Sequence, residues 1–465
     1  MNHSSSTTGK LRDIMKEVER ISPDVTLKLN DSIVSTIYGD AERITRKVVS
    51  QKSKPRVDWD KKLDDVLTSR TLGIPMMLLL LALVFWITVT GANYPSTVLA
   101  TVLFWGQDRL ADLCAWLGAP AWVKGFFVEG IYRCVAWVVS VMLPPMAIFF
   151  PCFTLLEDLG YLPRVAFNLD YLFKKTGAHG KQSLTMTMGF GCNAAGVIAC
   201  RIIESPRERL IAMLTNNFVP CNGRFPTLIA LAGILVMGTA YSLGAAVIVM
   251  GMVLFGITAT LAVSRALSAT LLKGVPSSFT LELPPYRKPR VGRVIIRSIY
   301  DRTLFVLSRA VCVAAPAGAV TWLLANIYVG DLSVLSHCAN WLNPFGTLLG
   351  MDGFILMAFI LGLPANEIVL PILIMSYLAT GSMVEMDSIE ALRRLFVVEH
   401  GWTWLTVLCT MLFSLLHYPC GTTLWTIRRE SGSVKWTALA ALIPLGVACA
   451  VCFVIALAAR QAGWV

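Results

Sequence analysis

The chain has 465 residues, of which 55% are hydrophobic and 15% charged, with a mean hydropathy of +0.65. A soluble globular protein carries about 25% charged residues, so this composition excludes a soluble enzyme and points to a polytopic, all-α membrane protein. The net charge of +11 does not call for nucleic acid as a partner. Lys and Arg concentrate in the first 70 residues and in polar loops, as cytoplasmic segments do under the positive-inside rule.

Residues 1–9 are polar and low in complexity, and 10–22 and 24–50 carry helical periodicity. In the second stretch Leu27, Ile33, Val34, Ile37, Ile44 and Val48 fall on one face, and Glu42 and Arg46 are spaced as an i,i+4 pair. This module is too short to hold a core of its own, so its apolar stripe is expected to dock elsewhere. No signal peptide precedes it, which puts the amino terminus in the cytoplasm. After an amphipathic juxtamembrane piece at 57–70, apolar runs occupy 72–91, 131–155, 226–263, 303–329, 402–425 and 436–459, each near the ~20 residues a spanning helix needs. The stretch 96–117 carries Gln107, Asp108, Arg109 and Asp112 and reads as a helix lying in the interface. Trp86, Trp122, Trp402, Trp404 and Trp436 read as interfacial anchors.

Two apolar segments are interrupted. The first contains Met188-Gly189-Phe190-Gly191-Cys192-Asn193. The flanking stretches 156–183 (Arg164, Lys174, Lys175, Lys181) and 201–209 (Arg201, Arg207, Arg209) are both basic. If both face the cytoplasm, 184–200 enters the membrane and returns. The second segment, 352–379, is broken at Gly362-Leu363-Pro364-Ala365-Asn366-Glu367, between basic loops at 265–302 and 427–435. Opened backbone at membrane depth is tolerated only inside protein or along a cavity. Interrupted segments in corresponding halves are the mark of an inverted-repeat transporter with its site at the breaks. The division expected is 1–70 as a cytoplasmic helical spacer, 71–270 and 303–465 as two membrane gate halves, and 271–302 as a basic cytoplasmic linker.

The stretch 141–226 resembles the membrane domain of the FeoB-type ferrous iron transporters. The marks are Leu143-Pro144-Pro145, Leu155-Leu156-Glu157-Asp158-Leu159-Gly160-Tyr161, Met188 to Asn193, Glu204 to Leu210, and Pro220-Cys221. Further marks are Pro364 to Val369, Tyr418-Pro419-Cys420 and Ile427 to Gly432. The resemblance covers roughly 25–460 and implies Fe²⁺ import across a bacterial cytoplasmic membrane. Such proteins begin with a GTPase domain, whereas the Gly-Lys pairs here, Gly9-Lys10-Leu11 and Gly180-Lys181-Gln182, lack what a P-loop needs to hold phosphate and Mg²⁺. The resemblance therefore implies a permease without nucleotide hydrolysis of its own, using GTP only through a stand-alone GTPase subunit docked on 10–50. A small cytoplasmic accessory protein would complete the system, and no covalent cofactor is expected. A gene fragment that lost its motor is the plain alternative.

Fe²⁺ accepts thiolate, imidazole and carboxylate ligands, and a transport site must also release its ion. The candidate metal-contacting residues are Cys192 with Asn193, Cys221 with Asn222, Cys420 after Pro419, and Glu367 with Asn366. Glu157 and Asp158 are added at the presumed cytoplasmic mouth. Each thiol is also readable as a small packing residue, Cys192 least so, and the other nine cysteines are read so, including Cys449 and Cys452 one turn apart. An ionisable Glu367 inside a membrane segment is costly and so a functional candidate. His417 lies one helical turn before Cys420 and is a possible second ligand; His179 is read as solvated. Glu204, Arg207, Glu208 and Arg209 read as a solvated helix start capped by Ser205 with Pro206 in the first turn. Competing readings are a permease of the same fold for another divalent cation or a nucleoside, and a non-transporting membrane scaffold that recruits a GTPase. A membrane enzyme is disfavoured, because no HExxH and no nucleophile–base–acid set stands out. The oligomeric state is open.

Overall fold

The computed structural model describes residues 23–48, 59–69, 72–236, 241–274, 286, 289–384, 386 and 388–463. The expected helix at 10–22 lies outside them. Six helical segments are long and apolar enough to cross a membrane: Pro75–Trp116, Ala121–Asp158, Gly244–Ala269, Val291–Asn326, Trp404–Ser431 and Val434–Gln461. Extended structure among the described residues is one hairpin, Tyr328–Val329 paired antiparallel with Leu332–Ser333. The chain is a polytopic all-α membrane protein.

The spans divide by what surrounds them. Along the outer helices Leu79, Val247, Leu442 and Val454 are more than half exposed, as expected of helices apolar on all sides that meet lipid. Trp404–Ser431 is the most enclosed span. Around it lie short helices: Gln182–Gly191, Asn193–Ala199, Pro206–Thr215, Phe225–Leu235, Gly353–Leu361 and Val369–Leu378. Helix Phe225–Leu235 packs on Trp404–Leu416, and Gly421–Ser431 packs on Asn193–Ala199. The middle of the protein is thus built from broken pieces inside a palisade of long helices.

Several expected boundaries shift. Residues 96–117 do not form a separate interfacial helix but continue Gly73–Trp116. Pro95 sits inside that helix, and nearby Thr97 Oγ1 back-bonds to the Asn93 carbonyl at 3.0 Å. At about 1.5 Å per residue its 44 residues far outrun the ~30 Å hydrocarbon layer, so Asp108, Arg109 and Asp112 belong to an overhang. The run 226–263 is two helices, Phe225–Leu235 and Tyr241–Ala269, because apolarity alone does not mark an end. The run 402–425 is interrupted, at His417–Cys420. The basic stretch 156–183 holds an amphipathic helix, Tyr161–Lys175. On it Arg164, with a side chain 2% exposed, binds Asp64 of helix Trp59–Leu67 at 2.9 Å. Trp402 is buried and stacks on Phe396 with ring centres 4.4 Å apart, so it does not act as an interfacial anchor.

The amino-terminal helix Pro23–Val48 forms as expected, with the Glu42–Arg46 pair at 2.6 Å. Ile33, Ile37, Ile44 and Val48 are all exposed on it.

Candidate functional site

Four interruptions carry the candidate residues. Helix Gln182–Gly191 stops because Cys192 takes extended backbone (φ −155°, ψ 124°), and Asn193–Ala199 begins at the next residue. The two arms pack against each other. Gly191 is required here: a Cβ would lie 2.0 Å from Phe149 Cε1. In the second half Gly353–Leu361 ends at Gly362, and Ala365 takes almost the same conformation as Cys192 (φ −151°, ψ 125°). A one-turn helix Asn366–Ile368 and then Val369–Leu378 follow, and these arms also pack together.

The other two breaks each contain a Pro-Cys pair. After Pro220 the chain turns tightly, with Arg224 N–H donating to the Cys221 carbonyl at 2.9 Å. Helix Trp404–Leu416 ends where His417 becomes extended (ψ 176°), and Gly421–Ser431 starts after Cys420. Backbone bonds then join the breaks in pairs. Asn222 N–H donates to the Gly191 carbonyl at 3.3 Å, and Gly421 N–H to the Leu363 carbonyl at 2.7 Å.

The four breaks surround one cavity of about 20 Å³, room for roughly one water-sized occupant. Cys192, Asn193, Cys221, Asn222, Asn366, Glu367 and Cys420 all line it, with Met142, Met146 and Thr422. The sequence-selected residues at the breaks are thus brought together from positions up to 228 apart in the chain. Glu157 and Asp158 are not among them; both are exposed at the end of helix Arg133–Asp158. Gly223 brings backbone against the carboxylate, since a Cβ there would lie 2.0 Å from Glu367 Oε1.

The donors ring the cavity rather than converge. Among the described residues no group of three or more His, Cys, Asp or Glu side chains is close enough to form a metal cage. Asn366 Nδ2 lies 3.8 Å from Cys221 Sγ, and Cys420 Sγ lies 3.2 Å from Thr423 Oγ1. Behind them runs an amide network. Asn193 Nδ2 donates to Asn217 Oδ1 at 3.3 Å, Asn216 Nδ2 to the Asn193 carbonyl at 3.1 Å, and Asn217 Nδ2 to the His417 carbonyl at 2.5 Å. Asn193 Oδ1 is buried with no partner. A spare oxygen on a residue lining the cavity is an acceptor a cation can use.

Two histidine expectations change. His417 lies where its helix ends, so the helical spacing to Cys420 does not hold. Its Nδ1 lies 2.9 Å from the Ser414 carbonyl, and its ring packs against Phe359 and Phe413. His179 is buried and accepts the Lys181 N–H at 3.0 Å instead of being solvated. The helix Pro206–Thr215 is capped by Ser205 as expected. However, Glu208 is buried and Arg207 reaches Ser268 Oγ at 2.5 Å, so this helix start is packed rather than solvated.

Sequence reasoning missed Met142 and Met146, two soft thioethers on the proline-rich helix Arg133–Asp158. It also missed the fully buried Arg224 and Asn217. The charge placed just after Pro220-Cys221-Asn222-Gly223 was the available signal for Arg224.

Comparison with known proteins agrees with this layout. A family model described as "Gate: Nucleoside recognition" matches residues 139–235 and 307–434, the segments that contain the four breaks. A second, "Ferrous iron transport protein B C terminus", matches 249–301 between them. The "Fe(2+) transporter FeoB" of Staphylococcus aureus (strain MSSA476) is 27% identical over 457 residues, 97% of this chain and 66% of that protein. The protein of the same name from Methanocaldococcus jannaschii is 27% identical over 453 residues, 91% of this chain and 64% of it. An "Fe(2+) transport protein A/Fe(2+) transporter FeoB fusion protein" from Porphyromonas gingivalis is 27% identical over 443 residues, 85% of this chain and 51% of it. The chain therefore spans about two thirds of the length of these curated relatives or less. No solved structure matches it. With two family models in register along the membrane region and relatives aligned over nearly its whole length, the chain belongs to the FeoB family and is its membrane part.

Proposed function

We propose that this chain is the permease subunit of a ferrous iron importer in a bacterial cytoplasmic membrane, with its amino terminus in the cytoplasm. The observation that carries the reading is the single small cavity at which three thiols, one carboxylate and three amides meet at helix breaks. Fe²⁺ is of borderline softness, so a mixed sulfur and oxygen lining suits it. Donors that surround the ion without closing into a cage suit a site that must also let it go. Cys192, Cys221 and Cys420 supply sulfur, Glu367 supplies the negative charge, and Asn193, Asn222 and Asn366 supply amide oxygens. Glu157 and Asp158, exposed at one end of the bundle, would attract cations to the mouth.

The two halves act as inverted gates whose re-entrant breaks face each other, and small movements of either pair open the cavity to one side. GTP binding on a separate GTPase subunit biases that movement, docked on Ile33, Ile37 and Ile44 of the amino-terminal helix. The fusion relative supports a small accessory protein as a further partner. The chain itself acts as a transporter rather than an enzyme. A nucleoside substrate, suggested by the name of the matching family model, is disfavoured by size. Pockets for drug-sized organic ligands run to ≈ 300–1,000 Å³, far beyond this cavity.

The test is uptake of radioactive Fe²⁺, held reduced with ascorbate, into sealed vesicles containing the full chain, with and without candidate GTPases. Saturable uptake that Mn²⁺ or Zn²⁺ competes only weakly, and that Cys192→Ser abolishes, is the expected result. Uptake of a nucleoside instead, or no flux under any condition, would refute the reading.

A further inference from the structure

Behind the cavity wall lies a buried cation that the transport reading leaves unused. Arg224 is fully buried, and its guanidinium is held by neutral oxygens alone. Nη1 donates to the Asn217 and Leu415 carbonyls, both at 2.7 Å. Nη2 donates to Asn217 Oδ1 at 3.0 Å, the His417 carbonyl at 3.2 Å and the Tyr418 carbonyl at 3.3 Å. Three of these oxygens come from the end of helix Trp404–Leu416, where the break frees carbonyls from their ladder. The other two come from the facing half. The negative end of a broken helix with freed carbonyls is the arrangement that coordinates hard cations in other transporters. Five oxygens gathered around one guanidinium are also ligands of the kind Ca²⁺ accepts.

This nest sits directly against the cavity. Its oxygens are on residues 217, 415, 417 and 418, and the next cysteine along each segment, Cys221 and Cys420, lines the cavity. Gly223, beside Arg224, is packed against Glu367. An open nest there would add a purely oxygen site to a sulfur-bearing one. It would also let alkaline-earth ions, which outnumber Fe²⁺ in any natural medium, compete for the same passage.

We infer that Arg224 is a specificity-determining residue: its guanidinium occupies a carbonyl nest shared by the two halves, and so denies it to hard divalent cations. The planar fork suits the task, because Nη1 and Nη2 together reach five acceptors at once, while Nε is buried without a partner. A lysine ammonium, with three donors, fills the nest with charge but leaves oxygens unpaired. The inference rests on the cation-transport reading, yet it makes a separate claim about which ions are kept out.

The experiment compares wild type, Arg224→Met and Arg224→Lys, each as the full chain in liposomes. It measures Fe²⁺ uptake in the presence of Ca²⁺, and Ca²⁺ binding by the detergent-solubilised proteins. Wild-type Fe²⁺ uptake should be indifferent to millimolar Ca²⁺. In Arg224→Met the Ca²⁺ concentration that halves Fe²⁺ uptake should fall by roughly tenfold or more, and a new Ca²⁺ site should appear. Arg224→Lys should lie between the two. An Arg224→Met protein that elutes as wild type from a sizing column but binds no Ca²⁺ overturns the inference. So does one that loses Fe²⁺ uptake without gaining Ca²⁺ sensitivity. If Arg224→Met does not fold, Asn217→Ser decides: it removes one acceptor and loosens the guanidinium, and unchanged Ca²⁺ sensitivity would count against the idea. If wild type moves no Fe²⁺ at all, the transport reading falls, while Ca²⁺ binding by Arg224→Met still reports on the nest.

Discussion

The first half of the membrane region and the second use the same backbone device for different chemistry. Cys192 and Ala365 have nearly identical extended conformations, each standing just before the next helix and each followed by an asparagine. Pro220-Cys221 and Pro419-Cys420 repeat the partner break. Yet the first half brings two thiols, an amide network and Arg224, whereas the second brings one thiol and the carboxylate of Glu367. The shared backbone geometry supplies the shape, and the different residues at the two breaks supply a mixed donor set that neither half holds alone.

The largest effect should follow from removing the distinctive donor of either half. Cys192→Ser and Glu367→Gln should each lower the initial rate of Fe²⁺ uptake by at least about tenfold, in the range seen when metal sites lose a supporting group. The chain should remain folded, as judged by its elution in detergent. Equal loss from both substitutions supports joint use of the two halves; loss from one alone breaks the comparison. A double variant, Cys192→Ala with Ala365→Cys, moves the thiol to the position of matching backbone conformation in the second half. If the halves are equivalent in shape, it should transport measurably better than Cys192→Ala alone.

Stability should show a smaller asymmetry. At Gly191 an added methyl meets the rigid Phe149 ring at 2.0 Å; at Gly421 the nearest atom is a Val313 methyl at 2.9 Å. Gly191→Ala should therefore destabilise by about 1–3 kcal/mol, the usual cost of overpacking, and Gly421→Ala by less. Thermal unfolding in detergent measures both, and the reverse order would show that the first break is not the tighter one.

The smallest effect is expected outside both breaks. The Arg164 hydrogen bonds hold the Asp64 carboxyl below its ordinary value of 3.8. Tyr286 donates to the same carboxylate at 2.8 Å, and burial pushes its own hydroxyl up to about 12. A carboxylate depressed in the folded state stabilises fully above the ordinary range and stops doing so as pH falls through its lowered value. The helix Trp59–Leu67 should thus stay docked at neutral pH, and protease should cut it faster only under strong acid. Asp64→Asn should bring that faster cutting to neutral pH while leaving Fe²⁺ uptake unchanged.

What could be read from the residues follows how local each feature is. The breaks at 189–193 and 362–367 were legible because glycine, proline and polar atoms interrupt an apolar run. That Cys192, Cys221, Cys420 and Glu367 share a cavity was suggested by the paired interruptions. The end of the helix at His417 was hidden, since the surrounding run is apolar and the spacing to Cys420 read as one continuous turn. Arg224 could not be placed, because three of its five partners are backbone carbonyls some 190 positions away. No side-chain pattern marks a carbonyl as an acceptor. The solvated reading of His179 failed because its short polar loop is itself packed in, with the ring buried and accepting the Lys181 N–H.

The most direct measurement is residue-by-residue thiol footprinting of the full chain in liposomes without oxygen, using a small membrane-permeant reagent and mass spectrometry, with and without Fe²⁺. If the four breaks form one cation site, Fe²⁺ should slow modification of Cys192, Cys221 and Cys420 together and leave the exposed Cys312 unchanged. Protection of one of the three alone, or of none, would contradict a shared site.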